Sequence, residues 1–349
     1  MAFTEKEIKI AVGGGGSGPL PIENELLNVT PNVWGITPIH DSGGHSGDIR
    51  SLELGILPPG DATNRMGIRI RNNPELRKLF TFRWKLPDNN HLNGHRPSND
   101  LLAGAQMIAG SHSEAIKLLE NAFSAHYIGR IFPASDDDVH LRAILEDGSF
   151  IDGEHKIDKR TNCEPPIKDI VFIDNKGEIC VPNPNPEAIE AISMADIFVI
   201  PPSSWRTSNQ PQLRTIRSAI VNNKIPVVCF CNAVTNYSET HGFSASDFAR
   251  GVYSELGVMI DYFFVNMPNH KIPETYDEEK SYPVTPDGEN CCQFAKHVYG
   301  LPLTTIRQIN EKPTIRHDGK ITTSLIMAIA QNKNLESAFA EHNIIPVRW

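Results

Sequence analysis

No run of this sequence approaches the roughly 18 consecutive apolar residues needed to cross a bilayer, so no membrane-spanning helix is encoded. The N-terminus is charged within its first seven residues and lacks the apolar core of a signal peptide. We therefore expect a cytoplasmic protein with no membrane partner. Long basic runs are also missing. The 33 Lys and Arg residues stand against 42 Asp and Glu, a formal charge of −9, and cations such as Arg65, Arg69 and Arg71 are scattered. That balance argues against nucleic acid as a partner. Cysteine is sparse: residues Cys163, Cys180, Cys229, Cys231, Cys291 and Cys292 form no C-x-x-C pair and are too few for a disulfide scaffold. Reduced thiols follow, with Cys229 and Cys231 at strand spacing on one core face and the vicinal Cys291 and Cys292 expected at the surface.

What the chain does have is glycine in one place. The apolar run Ile8–Val12 leads straight into Gly13, Gly14, Gly15 and Gly16, then Ser17, Gly18 and Pro19. Glycines without Cβ atoms take positive φ and let an anion approach backbone N–H groups, and a helix starting at Pro19 adds its positive dipole end. The pattern also satisfies G-x-G-x-x-G through Gly13, Gly15 and Gly18, with Asp41 closing the next apolar segment at the distance of a ribose-binding acid. A nucleotide or phosphate ester is the ligand class this loop suggests; a tight turn packing a helix on a sheet is the plainer alternative.

The rest of the chain reads as one elaborated α/β domain over residues 1–349, large enough at 40% hydrophobic residues for a single core. Val33–Ile39 is a second apolar strand, separated from the first by a helix over Pro19–Asn28. Residues 61–128 turn helical and are expected to form a helical insertion, on which subunits of a homo-oligomer could pair. Residues 129–182 alternate in strand fashion around Asp147-Gly148 and Lys176-Gly177, which predicts a β-ribbon insertion. Beyond Pro186 the α/β rhythm returns through strands Asp196–Pro201, Ile225–Cys231 and Tyr262–Asn266. Parallel strands need such crossovers, so the fold class expected is a Rossmann-like, doubly wound, mostly parallel sheet. Residues 267–300, rich in Pro, Asp and Glu, are expected as a surface excursion, followed by a closing helix pair.

Several further segments sit in collinear order: Asp41-Ser42-Gly43-Gly44-His45-Ser46-Gly47, Leu57-Pro58-Pro59-Gly60-Asp61, Gly94-His95-Arg96-Pro97-Ser98-Asn99, Asp137-Asp138-Val139-His140-Leu141, Pro202-Ser203-Ser204-Trp205-Arg206-Thr207-Ser208 and Cys231-Asn232-Ala233-Val234-Thr235. Together with the glycine loop they resemble the CofD/YvcK family, with its GGGTG, DDGGSSG, LPPGD, GHSxGN, DDVHL, GPGSLYTS and CNxMTQ elements. The resemblance spans roughly residues 8–265 and lies nearer the YvcK-like branch. One departure bears on chemistry. Where the family has two adjacent aspartates, this chain has Asp41 and Ser42, so one carboxylate suited to Mg²⁺ is missing, and Asp48 is a candidate substitute.

The resemblance implies site roles. Gly13 to Gly18 would cradle a diphosphate, with Gly43, Gly44, His45 and Ser46 as a second turn on the same anion. Asp41 would hold a metal or a ribose hydroxyl, or serve only as a turn acid. His95 and Asn99, four apart, would share a helix face and bind phosphate or base edges. Ser203, Ser204 and Thr207 would bind phosphate or start the next helix; Asn232 and Thr235 would read a base or ribose, or cap a strand end.

Two functions follow from the family. YvcK-like members bind nucleotide sugars and are tied to central carbon metabolism and cell-envelope synthesis. CofD-like members are transferases that move a phospho-carboxylic-acid moiety from a GDP-linked donor to a deazaflavin alcohol. In the second case Mg²⁺ on Asp41, with Asp61 and His95, would supply catalysis. The first reading, a nucleoside-diphosphate or UDP-sugar-binding factor, is favoured by the DSGGHSG and LPPGD segments. No permanently bound redox cofactor is expected, since a nicotinamide enzyme would use only the first glycine loop.

Overall fold

The computed structural model describes residues 7–349 except 53, 269, 279, 310 and 311. In chain order its strands are β1 (Ile10–Val12), β2 (Val33–Thr37), β3 (Arg130–Pro133), β4 (His140–Leu145), β5 (Phe150–Asp152), β6 (Ile167–Ile173) and β7 (Ile179–Cys180). They continue as β8 (Ile197–Ile200), β9 (Val227–Phe230), β10 (Ile260–Asn266), β11 (Ala295–Leu301), β12 (Thr304–Ile309), β13 (Lys312–His317) and β14 (Val347–Arg348). Eight of them form one sheet in the order β14-β11-β10-β9-β8-β1-β2-β3. Every neighbour pair in it is parallel except β11 with β14.

Strand alternation divides the core between the two faces of this sheet. Ile10, Val12, Ile197 and Val199 pack with the helices Leu20–Val29 and Gly319–Ala330. Ala11, Phe198 and Ile200 pack with Pro186–Met194, Gln210–Asn222 and Ala245–Leu256. Fully burying one such Ile or Phe contributes about 1.5–3 kcal/mol, so strands this apolar are stable only between two helical layers. The sheet is a doubly wound one. From β1 the chain runs outward through β2 to β3, then returns to β8 and runs the other way to β11, so the order reverses between β1 and β8. Loops leaving the carboxyl ends of those two strands must splay apart, and a crevice opens there.

Two attachments flank the sheet. Helices Gly60–Arg69, Pro74–Thr81, Pro97–Ala109 and His112–Ala122 form a layer against Ile131 of β3. Strands β4 to β7 make a separate antiparallel sheet, order β5-β4-β6-β7, with a short helix Glu154–Asp158 and its own core of Leu141, Ala143, Ile157 and Ile170.

Three expectations need correction. β3 belongs to the main sheet, so the ribbon starts at His140 and not at residue 129. Residues 267–300 are not all a surface excursion: β11 is a paired strand with Ala295, Val298 and Leu301 buried, its apolar pattern broken by Lys296 and His297, which are exposed. Cys291 is fully buried while Cys292 is exposed, so the vicinal pair straddles the surface. Cys229 and Cys231 are buried as expected. Among the described residues no helix is long and apolar enough to cross a membrane.

Candidate functional site

A cavity of about 790 Å³ lies at the reversal point, over the carboxyl ends of β1 and β8. Its floor is the glycine loop. Gly14 and Gly16 take φ of +80° and +64°, which a side chain would strain. Gly15 and Gly18 are glycines for a second reason: a Cβ would fall 2.5 Å from Asp61 Oδ2 at Gly15 and 1.7 Å from the Pro202 carbonyl at Gly18. Gly15, Gly16, Ser17 and Gly18 line the cavity. Gly13 and Gly14 stand behind it, their N–H groups donating to the Val199 carbonyl at 2.9 Å and to Gln212 Oε1 at 2.6 Å. The Gly16 N–H donates to Asp61 Oδ1 at 2.6 Å, and the Gly15 N–H meets Ser203 Oγ at a loose 3.3 Å.

One wall is acidic. Asp41, Asp61, Glu154 and Asp158 all line it. Burial, with the charge of Asp41 beside it, pushes the Asp61 carboxyl up to about 7 and that of Glu154 up to about 8. Glu154 sits on the helix after β5 and accepts the Ser42 N–H at 3.2 Å, while Ser42 Oγ accepts the His155 N–H at 3.0 Å. A second carboxylate, from the ribbon, thus stands beside Asp41 in space. Asp48 does not: its carboxylate bonds His95 Nε2 at 2.9 Å, away from the cavity. Among the described residues no three acids, histidines or cysteines converge closely enough to hold a metal unaided. The donors fit a Mg²⁺ ion that takes one or two carboxylates and draws its other oxygens from phosphate and water.

A further wall is basic and comes from β13, which among the described residues pairs with β12 in a two-stranded sheet. Lys312 and Arg316 line the cavity from this hairpin. Arg316 Nη2 donates to Ser17 Oγ at 3.0 Å, tying the hairpin to the glycine loop, and Tyr276 Oη accepts the Ile315 N–H at 2.9 Å beneath it. The last wall is the β8 and β9 loops. Ser203, Ser204, Asn232 and Thr235 line it. Asn232 clips the loop after β8, its Nδ2 donating to the Ser203 carbonyl at 2.9 Å and its Oδ1 accepting the Ser203 N–H at 3.3 Å. Thr235 Oγ1 likewise accepts the Tyr282 N–H at 3.1 Å. Two histidines complete the lining. His40 Nε2 donates to the Thr207 carbonyl at 2.7 Å, and burial holds its pKa down at about 4, so the ring is neutral. His317 is held neutral in the same way, with Nε2 lacking a partner among the described residues.

The second glycine turn is elsewhere. Gly43, Gly44, His45 and Ser46 do not line the cavity. A Cβ at Gly43 would fall 3.1 Å from His155 Nδ1 and 3.7 Å from Glu154 Oε2, and Ser46 Oγ accepts the Gly60 N–H at 3.2 Å. His45 accepts the Arg96 N–H on Nδ1 at 2.9 Å, bonds Asp100 through Nε2 at 3.0 Å, and stacks on His95 with ring centres 3.9 Å apart. His95 and Asn99 share no helix face, because Pro97 opens the helix and leaves His95 in the preceding loop. Asn99 is buried, with Oδ1 accepting the Thr63 hydroxyl at 2.6 Å, and holds two helices together. Proline at position 97 was the signal that could have separated the two.

The architecture is a doubly wound, mostly parallel α/β sheet with a glycine loop and a charged cleft at its reversal point. The chain belongs to the CofD/YvcK family: the family model described as 2-phospho-L-lactate transferase CofD matches residues 10–303. A Streptococcus pyogenes protein named "Putative gluconeogenesis factor" is 30% identical over 93% of this chain and 98% of its own length. A protein of the same name from Thermoanaerobacterium thermosulfurigenes is 32% identical over 93% and 97%. The crystal structure of a UPF0052 family member from Bacillus halodurans superposes with a TM-score of 0.80 at 29% identity, covering 92% of this chain and 99% of that one.

Proposed function

We propose that the chain binds a nucleoside diphosphate or nucleotide sugar, its diphosphate lying on Gly15 to Gly18 between Arg316 and the acidic wall. The observation that carries this reading is the exposed backbone of the glycine loop at the reversal point, with the Arg316 guanidinium joined to Ser17 at 3.0 Å. Guanidinium and loop N–H groups together give charge-assisted bonds to phosphate oxygens. Asp41, Asp61 and Glu154 would hold a Mg²⁺ ion that neutralises the diphosphate. Tyr276, Asn232 and Thr235 border the space left for base and sugar. The relatives' name agrees with a role in central carbon metabolism without specifying a reaction.

A ligand that binds only the folded state raises its melting temperature. Thermal scans with millimolar UDP, GDP and UDP-N-acetylglucosamine, with and without Mg²⁺, should show a shift for at least one of them. The Gly15→Asp protein should show none, since its side chain would start 2.5 Å from Asp61 Oδ2. No shift with any of the three overturns the reading.

A second reading is transfer, favoured by Glu154: a carboxylate beside Asp41 gives a metal more anchorage than the sequence offers. Nucleotide release from a GDP-linked donor in the presence of a deazaflavin alcohol and Mg²⁺, lost in Asp41→Asn, would establish it. We expect binding without turnover.

A further inference from the structure

We infer that Arg65 is a positioning residue for the glycine loop, holding three successive carbonyls behind the loop so that the Gly15 N–H faces the cavity. The part of this inference that concerns affinity rests on the nucleotide reading above; the part that concerns loop geometry does not.

Arg65 lies on the helix Gly60–Arg69 with its side chain 1% exposed. Its Nη1 donates to the Val12 carbonyl at 2.9 Å, and its Nη2 donates to the carbonyls of Gly13 at 2.5 Å and Gly14 at 2.6 Å. In a trans peptide the C=O and N–H bonds point in opposite directions. Pinning the Gly14 carbonyl on the far side therefore turns the Gly15 N–H toward the cavity, where it meets only the loose Ser203 hydroxyl. Glycine peptides rotate easily, and an unheld one could present its carbonyl oxygen to an incoming phosphate.

The sequence makes room for this arrangement. Gly35, in the middle of β2, sits where a Cβ would lie 2.4 Å from Arg65 Nη1, so the strand carries a glycine at the point of close approach. Glu23, on the helix that leaves the loop, offsets part of the charge through ion pairs of 2.5 Å with Arg65 and 2.6 Å with Arg69. A planar guanidinium can serve three carbonyls and one carboxylate at once; an ammonium on a flexible stem cannot hold that set.

The test uses Arg65→Lys, which keeps the charge, and Gly35→Ala, which displaces the guanidinium without removing it. Three quantities are measured: the melting temperature, hydrogen exchange of peptides covering residues 12–18, and calorimetric Kd for UDP and for pyrophosphate. Both variants should weaken each Kd by at least about tenfold in the folded fraction and speed exchange of the loop amides. A merely structural arginine would lower the melting temperature and leave Kd and loop exchange of the folded protein unchanged, and that result overturns the inference. If wild type binds neither probe while loop exchange still rises in both variants, the nucleotide reading falls and the positioning of the loop stands. If exchange is unchanged in both, the positioning falls whatever the ligand.

Discussion

Two glycine-rich turns follow the first two strands, and the fold uses them differently. Gly15 to Gly18 lies at the reversal point between β1 and β8 and opens onto the cavity. Gly43 to Gly47 follows β2, one strand away, and does not line the cavity; a side chain at Gly43 would meet His155 and Glu154 of the ribbon helix, while Gly44 is exposed. Glycine content is the same signal in both; position in the sheet order decides which backbone opens onto the cavity. Crevices form where neighbouring connections part, and β2 has both its neighbours, β1 and β3, connected on its own side of the reversal.

The largest break in this comparison should come from equal substitutions in the two turns. Gly18→Ala would put a methyl 1.7 Å from the Pro202 carbonyl, with backbone on both sides, so a loss of about 3–5 kcal/mol in chemical denaturation is expected. Gly44→Ala meets nothing within 4 Å and suffers only its φ of +49°, which costs about 1–2 kcal/mol.

Ligand affinity should separate the turns next. Arg316→Ala should weaken UDP or GDP binding by about 10–100-fold in calorimetry, the effect of losing a charge-assisted bond. His45→Ser, at the second turn, should leave Kd within about twofold while lowering the melting temperature, because it removes the acceptor of the Arg96 N–H.

A smaller difference should appear with pH. Asp61 and Glu154 have pKa values raised to about 7 and about 8, against roughly 4 in an unfolded chain. Between those values the folded protein binds more protons than the unfolded one, so their contribution to stability is full below about pH 4 and is lost as pH rises toward 8. Melting temperature should therefore fall less between about pH 5 and 8 in Asp61→Asn than in wild type. A parallel pair of curves would mean that Asp61 is not desolvated as described.

The smallest expected effect concerns Ser42. Wild type should bind Mg²⁺ weakly without nucleotide, and Ser42→Asp should tighten it modestly at some cost in stability, since the new charge faces Glu154. Stoichiometric tight binding by wild-type protein would contradict this.

What the sequence reveals is set by range. β1, β2, β8 and β9 are short apolar runs that lead within a few residues to glycine, aspartate, serine or asparagine, so each strand and the loop beyond it can be read locally. The basic wall cannot. β12 and β13 alternate Thr, Arg, Gln and Lys with few apolar residues, and the contact of Arg316 with Ser17 joins positions 299 apart. Glu154 is similarly hidden, because its place beside Asp41 depends on how the ribbon folds back. His45 and His95 show the converse: motif resemblance marked them, yet the proline at 97 and the Arg96 backbone direct them to each other.

Asp61 on the Gly16 N–H has a further consequence. On the proposed reading the protein carries its own competitor: an anion binding at that amide would first have to displace the Asp61 carboxylate, and a bare phosphate would bring nothing to compensate for the like charge it meets. An anion that arrives with a divalent cation gives the displaced carboxylate somewhere to go. The cleft would then act as a filter, deaf to stray inorganic phosphate and responsive to metal-complexed diphosphates.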